Sequence, residues 1–573
     1  MLANIRRAGL GLCILILAAC AASSPTPNVA ERDERGRVDD QIAPPPPPPP
    51  PPAPMAAEQR ALGVAGRAQG GTLAQMSPQP MPGDIDRENY EDFDANPIRV
   101  VAEDPVSTFS IDVDSASYSN VRRFLTEGRL PPRDAVRTEE LINYFRYDYP
   151  LPRDRSAPFS TNVTVAPSPW AEGRQLVHIG LQGYNIVPRE RPPLNLVLLL
   201  DVSGSMSAPN KLPLLQQSFR MLIDQLNARD RVSIVVYAGA AGTVLEPTPG
   251  NERNRILAAL DSLRPGGSTA GAEGLRQAYA LAEQNFNANS VNRVIIGTDG
   301  DFNVGIADPE QLQDFVERKR ETGIYLSVFG FGGGNYNDAL MQRLAQNGNG
   351  VAVYIDTLNE ARRVLRDEMA SNLFTIANDV KIQVEFNPAR VAEYRLIGYE
   401  TRMLNREDFN NDAVDAGEIG AGHAVTAIYE ITPVGGPTFI DPLRYQERPQ
   451  ATGTGSEIAF LRIRYKLPGE DDSRLIERPI TNSDAVSDIA RASESARWAT
   501  AVAGYGQLLR GDPFVGQDYG FDDVIRLAQG ARGSDEFGWR AEFLQLARAA
   551  ETANALNPLP RQPLPERRPA TGR

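Results

Sequence analysis

Cysteine and histidine are almost absent from this chain of 573 residues, which has Cys13, Cys20, His178 and His423 and no others. Zinc motifs of the His-Glu-x-x-His kind are therefore missing, and a Ser-His-Asp triad would have to recruit one of two histidines that fall in strand-like stretches. No Gly-x-Ser-x-Gly turn presents a nucleophile. The glycine run Gly330 to Gly334 lacks the Gly-Lys-Ser/Thr ending of a phosphate loop, so it reads as a flexible strand-to-helix turn and no nucleotide is expected. Cys13 sits in an apolar leader, which leaves no disulfide framework, so the domains must rely on packed cores. Lysine is scarce too: Lys211, Lys319, Lys381 and Lys466 are the only four among 59 basic side chains, which reads as genome composition rather than chemistry. With 73 acidic residues the net charge is −14, an unfavourable balance for neutralising phosphates, so no nucleic acid is expected. No catalytic constellation emerges, and the chain reads as a non-enzyme.

What is present begins with Arg6-Arg7, a short apolar run from Leu10, and Leu17-Ala18-Ala19-Cys20. A positive segment, an apolar core too short to span a bilayer and small residues before a cut describe an export signal over residues 1–19. The tetrad resembles the lipobox of bacterial lipoproteins, which implies acylation at Cys20. Ala21, rather than Asp, then implies sorting to the outer membrane, with the protein lipid-anchored in the bacterial envelope and facing the periplasm. An ordinary cleaved signal is the alternative. Residues 20–95 read as a disordered tether: Pro44 to Pro52 is unbroken proline, roughly 28 Å of polyproline II at about 3.1 Å per residue, and its flanks carry too little apolar side chain to fold. A spacer is the reading, with docking by a partner domain as the alternative.

The stretch that organises the rest is Asn195-Leu-Val-Leu-Leu-Leu-Asp201-Val-Ser203-Gly-Ser205-Met. Five apolar residues in a row predict a strand buried on both faces, as in a parallel sheet covered by helices. It runs into three hard oxygen donors at alternate positions, a set that suits Mg²⁺ far better than a soft metal. Further ligands are expected from neighbouring strand-to-helix loops. Gly266-Gly267-Ser268-Thr269 and the strand end Thr298-Asp299-Gly300 are the candidates.

Together these pieces resemble the metal-ion-dependent adhesion site of von Willebrand factor type A domains, with Asp201, Ser203, Ser205, Thr269 and Asp299 at its five positions. The resemblance implies a divalent ion (Mg²⁺, with Mn²⁺ or Ca²⁺ as alternatives) held partly through water. It also implies an outward coordination position that a carboxylate of a partner protein fills, with Thr269 engaged directly in the bound state. The partner is expected to be an envelope or surface protein, and Asp301 and Asn303 lie next to the opening as its rim. Two alternatives stay open: a metal-assisted hydrolase with Asp301 as general base, and a structural envelope protein with a vestigial site.

The expected fold is α/β: a doubly wound, mostly parallel sheet over 193–372, Rossmann-like in its alternation, flanked by a β-sandwich-like region and a C-terminal helical region. Residues 96–192 form a segment of helices (Tyr118–Glu127, Arg137–Phe145) and strands (Phe159–Ala166, Leu176–Gly183). Its phrases Ser-Ile-Asp112-Val-Asp114-Ser115-Ala-Ser-Tyr and Arg137-Thr-Glu-Glu-Leu-Ile-Asn-Tyr-Phe145 resemble the region preceding the A domain in a family of bacterial A-domain lipoproteins. Asp112, Asp114 and Ser115 read as caps of the following helix rather than a second cation site. Leu358–Ala370 is expected to be the last helix of the α/β unit. Residues 373–482 alternate as antiparallel strands that, with the strands before the A domain, make one sandwich into which it is inserted. Asp408-Phe-Asn410-Asn-Asp412 opens like a calcium loop but has Ala413 and Ile419 where Gly and Glu are required, so it reads as a hairpin connection. Residues 483–556 are helical in pattern, one helix spanning Asp484–Leu509, with Trp498 and Trp539 in the core. Residues 557–573 are expected to be disordered.

Overall fold

Apolar runs dictate where the sheets form. In the structure, a computed structural model, residues 88–187, 189–267, 271–300, 309–441 and 455–560 are described. Strands β1 (Arg99–Val100), β2 (Val106–Ser110), β3 (Phe159–Pro167) and β4 (Gln175–Gly183) come first, with helices α1 (Ala116–Thr126) and α2 (Thr138–Asn143) between β2 and β3. The leucine-rich run becomes β5 (Leu194–Asp201), followed by α3 (Leu212–Ile223), β6 (Arg231–Tyr237), β7 (Ala241–Pro249), α4 (Arg253–Ser262) and α5 (Gly271–Gln284). The alternation continues with β8 (Val291–Thr298), α6 (Pro309–Glu321), β9 (Ile324–Phe331), α7 (Asp338–Asn347), β10 (Ala352–Ile355), α8 (Leu358–Arg362) and α9 (Met369–Leu373).

These middle strands form a sheet in the order β10-β9-β8-β5-β6-β7, in which β5 runs parallel to both neighbours and β7 alone is antiparallel. Counted from the hairpin edge this is 3-2-1-4-5-6, the doubly wound order, and its switch point falls between β5 and β8. The all-apolar pattern of β5 follows directly. Leu196, Leu198 and Leu200 join a cluster with Leu215 and Phe219 of α3, whereas Val197 and Leu199 pack with Leu275 of α5 and Leu312 of α6. Each such side chain contributes about 1.5–3 kcal/mol on burial, which pins the strand whose carboxyl end bears Asp201.

Seven strands follow the α/β unit: β11 (Thr375–Phe386), β12 (Val391–Ile397), β13 (Met403–Leu404), β14 (Gly417–Gly420), β15 (Ala424–Pro433), β16 (Glu457–Lys466) and β17 (Arg474–Thr481). They do not pair only among themselves. β2 pairs with β11 and β4 pairs with β15, giving one sheet ordered β1-β12-β15-β4-β3 and another ordered β13-β2-β11-β16-β17. Phe109 and Phe386 of the second sheet meet Tyr429 of the first edge to face, with ring centroids 6.1 and 5.2 Å apart. The segments 96–192 and 373–482 are thus one sandwich in space, interrupted in sequence by the α/β unit.

Helices α10 (Glu494–Arg510), α11 (Phe521–Gln529) and α12 (Trp539–Leu556) close the described chain. Trp498 and Phe543 share a core with Tyr118, Tyr144 and Phe145 of the early segment. The helical region is therefore completed by α1 and α2 rather than standing apart. No helix among the described residues is long and apolar enough to cross a membrane.

Residues 88–95, expected to belong to the tether, are packed instead: Asn89 N–H donates to Tyr336 O at 3.0 Å, Glu88 pairs with Arg123 at 2.7 Å and Ala95 is buried. Three further local expectations are corrected. Leu358–Ala370 is not one helix: after α8 the backbone widens into a π turn, Arg363–Asp367, before α9. Arg363 is buried there and donates to Glu360 Oε1 at 2.8 Å, Glu368 Oε2 at 2.6 Å and Ser115 Oγ at 2.5 Å, a tertiary demand that overrides regular helix geometry. Second, Asp112, Asp114 and Ser115 make no side-chain cap on α1. The two carboxylates pair with Arg402 at 2.9 and 3.3 Å, and Asp114 also accepts the Ala352 N–H at the edge of β10. The buried N–H of Ser117, in the first turn of α1, donates instead to Glu140 of α2, at 2.8 Å. Third, α10 starts at Glu494, capped by Ser493 Oγ, and residues 484–493 hold only short 3₁₀ turns.

Candidate metal centre

Asp201 ends β5 and Asp299 follows the last residue of β8, so the switch point brings two carboxylates from adjacent parallel strands to the same end of the sheet. Both are fully buried. Asp201 Oδ1 accepts the Ser203 N–H at 2.8 Å, which curls the loop back over the strand end. Its Oδ2 accepts Tyr237 Oη–H at 3.2 Å and Thr298 Oγ1–H at 3.3 Å, one from each flanking strand. Ser203 Oγ and Ser205 Oγ lie 2.9 Å apart. Ser203 is buried and Ser205 exposed, so the donors lead from the sheet end to the surface.

The loop that carries Thr269 is tied to this one: Gly204 N–H donates to Gly267 O at 3.1 Å, and Gly266 N–H donates to Val202 O at 2.8 Å. Thr269 itself, like Asp301, Asn303 and Cys20, lies outside the described residues. Gly300 is required by its geometry. It has φ +100°, and a Cβ there would come within 2.6 Å of Asn337 N and 2.8 Å of Asn335 O. Gly300→Ala is expected to cost roughly 1–3 kcal/mol from backbone strain alone, with further loss from the clash. Urea denaturation of the two proteins measures it, and an unchanged midpoint would contradict this.

The electrostatics are asymmetric. Burial, with the nearby Asp299 charge, pushes the Asp201 carboxyl up to about 6. Burial would raise Asp299 too, but Lys211 Nζ stands 2.8 Å from its Oδ2 and, with hydrogen bonds from Ser205 and Asn335, holds it below the usual carboxylate range. Lys211 also donates to Asn335 Oδ1 at 3.0 Å. Whatever sets the scarcity of lysine, one of the four reaches into the site, a role that the composition alone does not reveal. Its position ten residues after Asp201, in a chain that otherwise uses arginine, was the available signal.

The donor set suits a small hard cation. Neighbouring ligands of an octahedral Mg²⁺ at about 2.0–2.1 Å are about 2.9 Å apart, and the two serine oxygens already have that spacing. Two buried carboxylates beside them supply the charge. No cluster of three or more His, Cys, Asp or Glu suited to a metal occurs among the described residues, so any site here depends on its hydroxyls. His178 and His423 are no part of it. His178 is buried and His423 half-buried, desolvation pushes both down to about 4, and His423 lies in the turn before β15 rather than in a strand.

Comparison with known proteins identifies the domains that make up the chain. Residues 195–367 match the von Willebrand factor type A domain, 84–178 match the description "von Willebrand factor", and 371–553 match "Uncharacterized protein YfbK, C-terminal". "Uncharacterized protein YfbK" of Escherichia coli (strain K12) is 45% identical over 470 residues, covering 81% of each chain. Inter-alpha-trypsin inhibitor heavy chain H3 of Mesocricetus auratus is 26% identical over 273 residues, 44% of this chain and 29% of that one. A solved structure, "von Willebrand factor type A from Catenulispora acidiphila", aligns with 70% of this chain and 90% of its own at 14% identity and a TM-score of 0.39. With a type A domain at its centre and 45% identity over four-fifths of both chains, this protein belongs to the family of YfbK.

Proposed function

We propose that this protein is a non-enzymatic lipoprotein of the bacterial outer envelope that binds a partner protein through a divalent ion at Asp201, Ser203, Ser205, Thr269 and Asp299. The observation that carries the reading is the convergence of two buried carboxylates and two serine hydroxyls, 2.9 Å apart, at the switch point of a type A sheet. When bound, the ion supplies a Lewis-acidic position that accepts a carboxylate. The chain's own residues do the rest. Asp201 and Asp299 neutralise charge, Tyr237 and Thr298 orient Asp201, and Ser205 brings the donor set to the surface. Asp301 and Asn303 border that opening in sequence and would set partner preference. Mg²⁺ is the first choice for hard oxygen donors, ahead of Mn²⁺ and Ca²⁺.

Partner binding is tested by crosslinking the purified protein to envelope extracts of the source organism. Capture in Mg²⁺ that is lost in chelator and in Asp201→Ala supports the reading, and equal capture in all three conditions overturns it. The anchor is tested separately. Cys20→Ser is expected to abolish labelling by a fatty-acid probe and to move the protein from the membrane to the soluble fraction, and retention with label would refute lipidation at Cys20.

A further inference from the structure

The Lys211 side chain is 10% exposed, and its ammonium is fixed by Asp299 at 2.8 Å and Asn335 at 3.0 Å. Its stem crosses Gly332, which has φ +71°, and a Cβ at that glycine would sit 2.7 Å from Lys211 Cε. The glycine turn after β9 thus provides the channel in which the lysine lies. The ammonium is a compact point charge with three donors, which suits a narrow slot where a planar guanidinium would not fit as well. It holds Oδ2 of a carboxylate that the divalent ion would use, and a second cation brought to the same carboxylate is repelled.

We infer that Lys211 is a tethered competitor of the divalent ion: the ion and the ammonium contend for Asp299, and loading the site moves the lysine out of its slot. The inference rests on the metal-binding reading above. It makes occupancy conditional on ion concentration and gives the site two alternative cations for one carboxylate.

The purified full-length protein and Lys211→Met, which keeps the length of the stem and removes its charge, are titrated with Mg²⁺ and Mn²⁺ by calorimetry. The variant is expected to bind at least tenfold more tightly. A second readout needs no variant. In the wild type, acetylation by a small amine-reactive reagent, read by mass spectrometry, should rise at least tenfold at Lys211 on adding Mg²⁺. Lys319, Lys381 and Lys466 serve as internal references. Equal or weaker binding by the variant, or unchanged labelling of Lys211 while Mg²⁺ binds, overturns the inference and leaves the metal site standing. Absence of ion binding in both proteins removes the metal reading and the inference with it.

Discussion

Asp201→Asn is expected to make the chelated protein more stable above pH 6 and to remove its stabilisation by Mg²⁺. The folded Asp201 carboxyl is pushed up to about 6 from an ordinary 3.8. Between those values the folded protein holds a proton that the unfolded chain releases, so this group's contribution falls as pH rises from about 4 to about 6. Above pH 6 the penalty is complete, on the order of 2–3 kcal/mol at about 1.4 kcal/mol per pH unit. Asparagine keeps one oxygen to accept the Ser203 N–H, and its NH2 donates where Asp201 Oδ2 accepted, so the Tyr237 and Thr298 hydroxyls turn to accept from it while the buried charge disappears. Urea midpoints in chelator should coincide near pH 4 and diverge in favour of the variant by pH 7. Addition of Mg²⁺ should raise the wild type alone. A variant no more stable than wild type at pH 7 in chelator would contradict the account of Asp201.

Arg122→Met is expected to cost about 3–5 kcal/mol, the usual consequence of stripping one partner from a buried ion network. Arg122 of α1 donates to Asp356 through Nε at 2.8 Å, to Glu360 through Nη2 at 2.8 Å and to Glu542 of α12 through Nη1 at 2.9 Å. One guanidinium thereby ties the early segment to the α/β unit and to the last helix. Burial raises the Glu360 carboxyl, and the Arg363 and Arg122 charges outweigh that and hold it below its ordinary range. Removing Arg122 leaves Glu360 fully buried with one cation fewer. Denaturation of the variant measures the loss, and adding Glu360→Gln should recover part of it, because the orphaned charge goes with it. A loss under about 1 kcal/mol would mean that the pairs are exchanged for water without consequence.

The same network explains what could be read from the sequence and what could not. β5 and β8 were legible because a strand buried on both faces has no polar alternation to blur it, and Asp201 and Asp299 followed from their ends. Helices α1 and α2 were legible to within two residues at each end, because their pattern is local. The π turn at Arg363 was not, since its cause, Ser115, is 248 residues away in sequence. Asp112 and Asp114 had the spacing of helix caps, yet their oxygens are taken by Arg402, which no local pattern announces. The motif phrases around them do not form a second site. They clamp the sandwich to the α/β unit, and that role exists only once both are folded. Lys211 was missed for the opposite reason: it lies close in sequence to the metal motif, but a cation is not among the residue types that a metal site leads one to seek.

The most direct measurement is calorimetric titration of the purified protein with Mg²⁺ at pH 7.5, beside Asp201→Asn. Saturable binding of one ion by the wild type, and none by the variant, is the expected result. A wild type without measurable binding, or a variant that binds as well, would contradict the claim that these oxygens form a divalent-ion site.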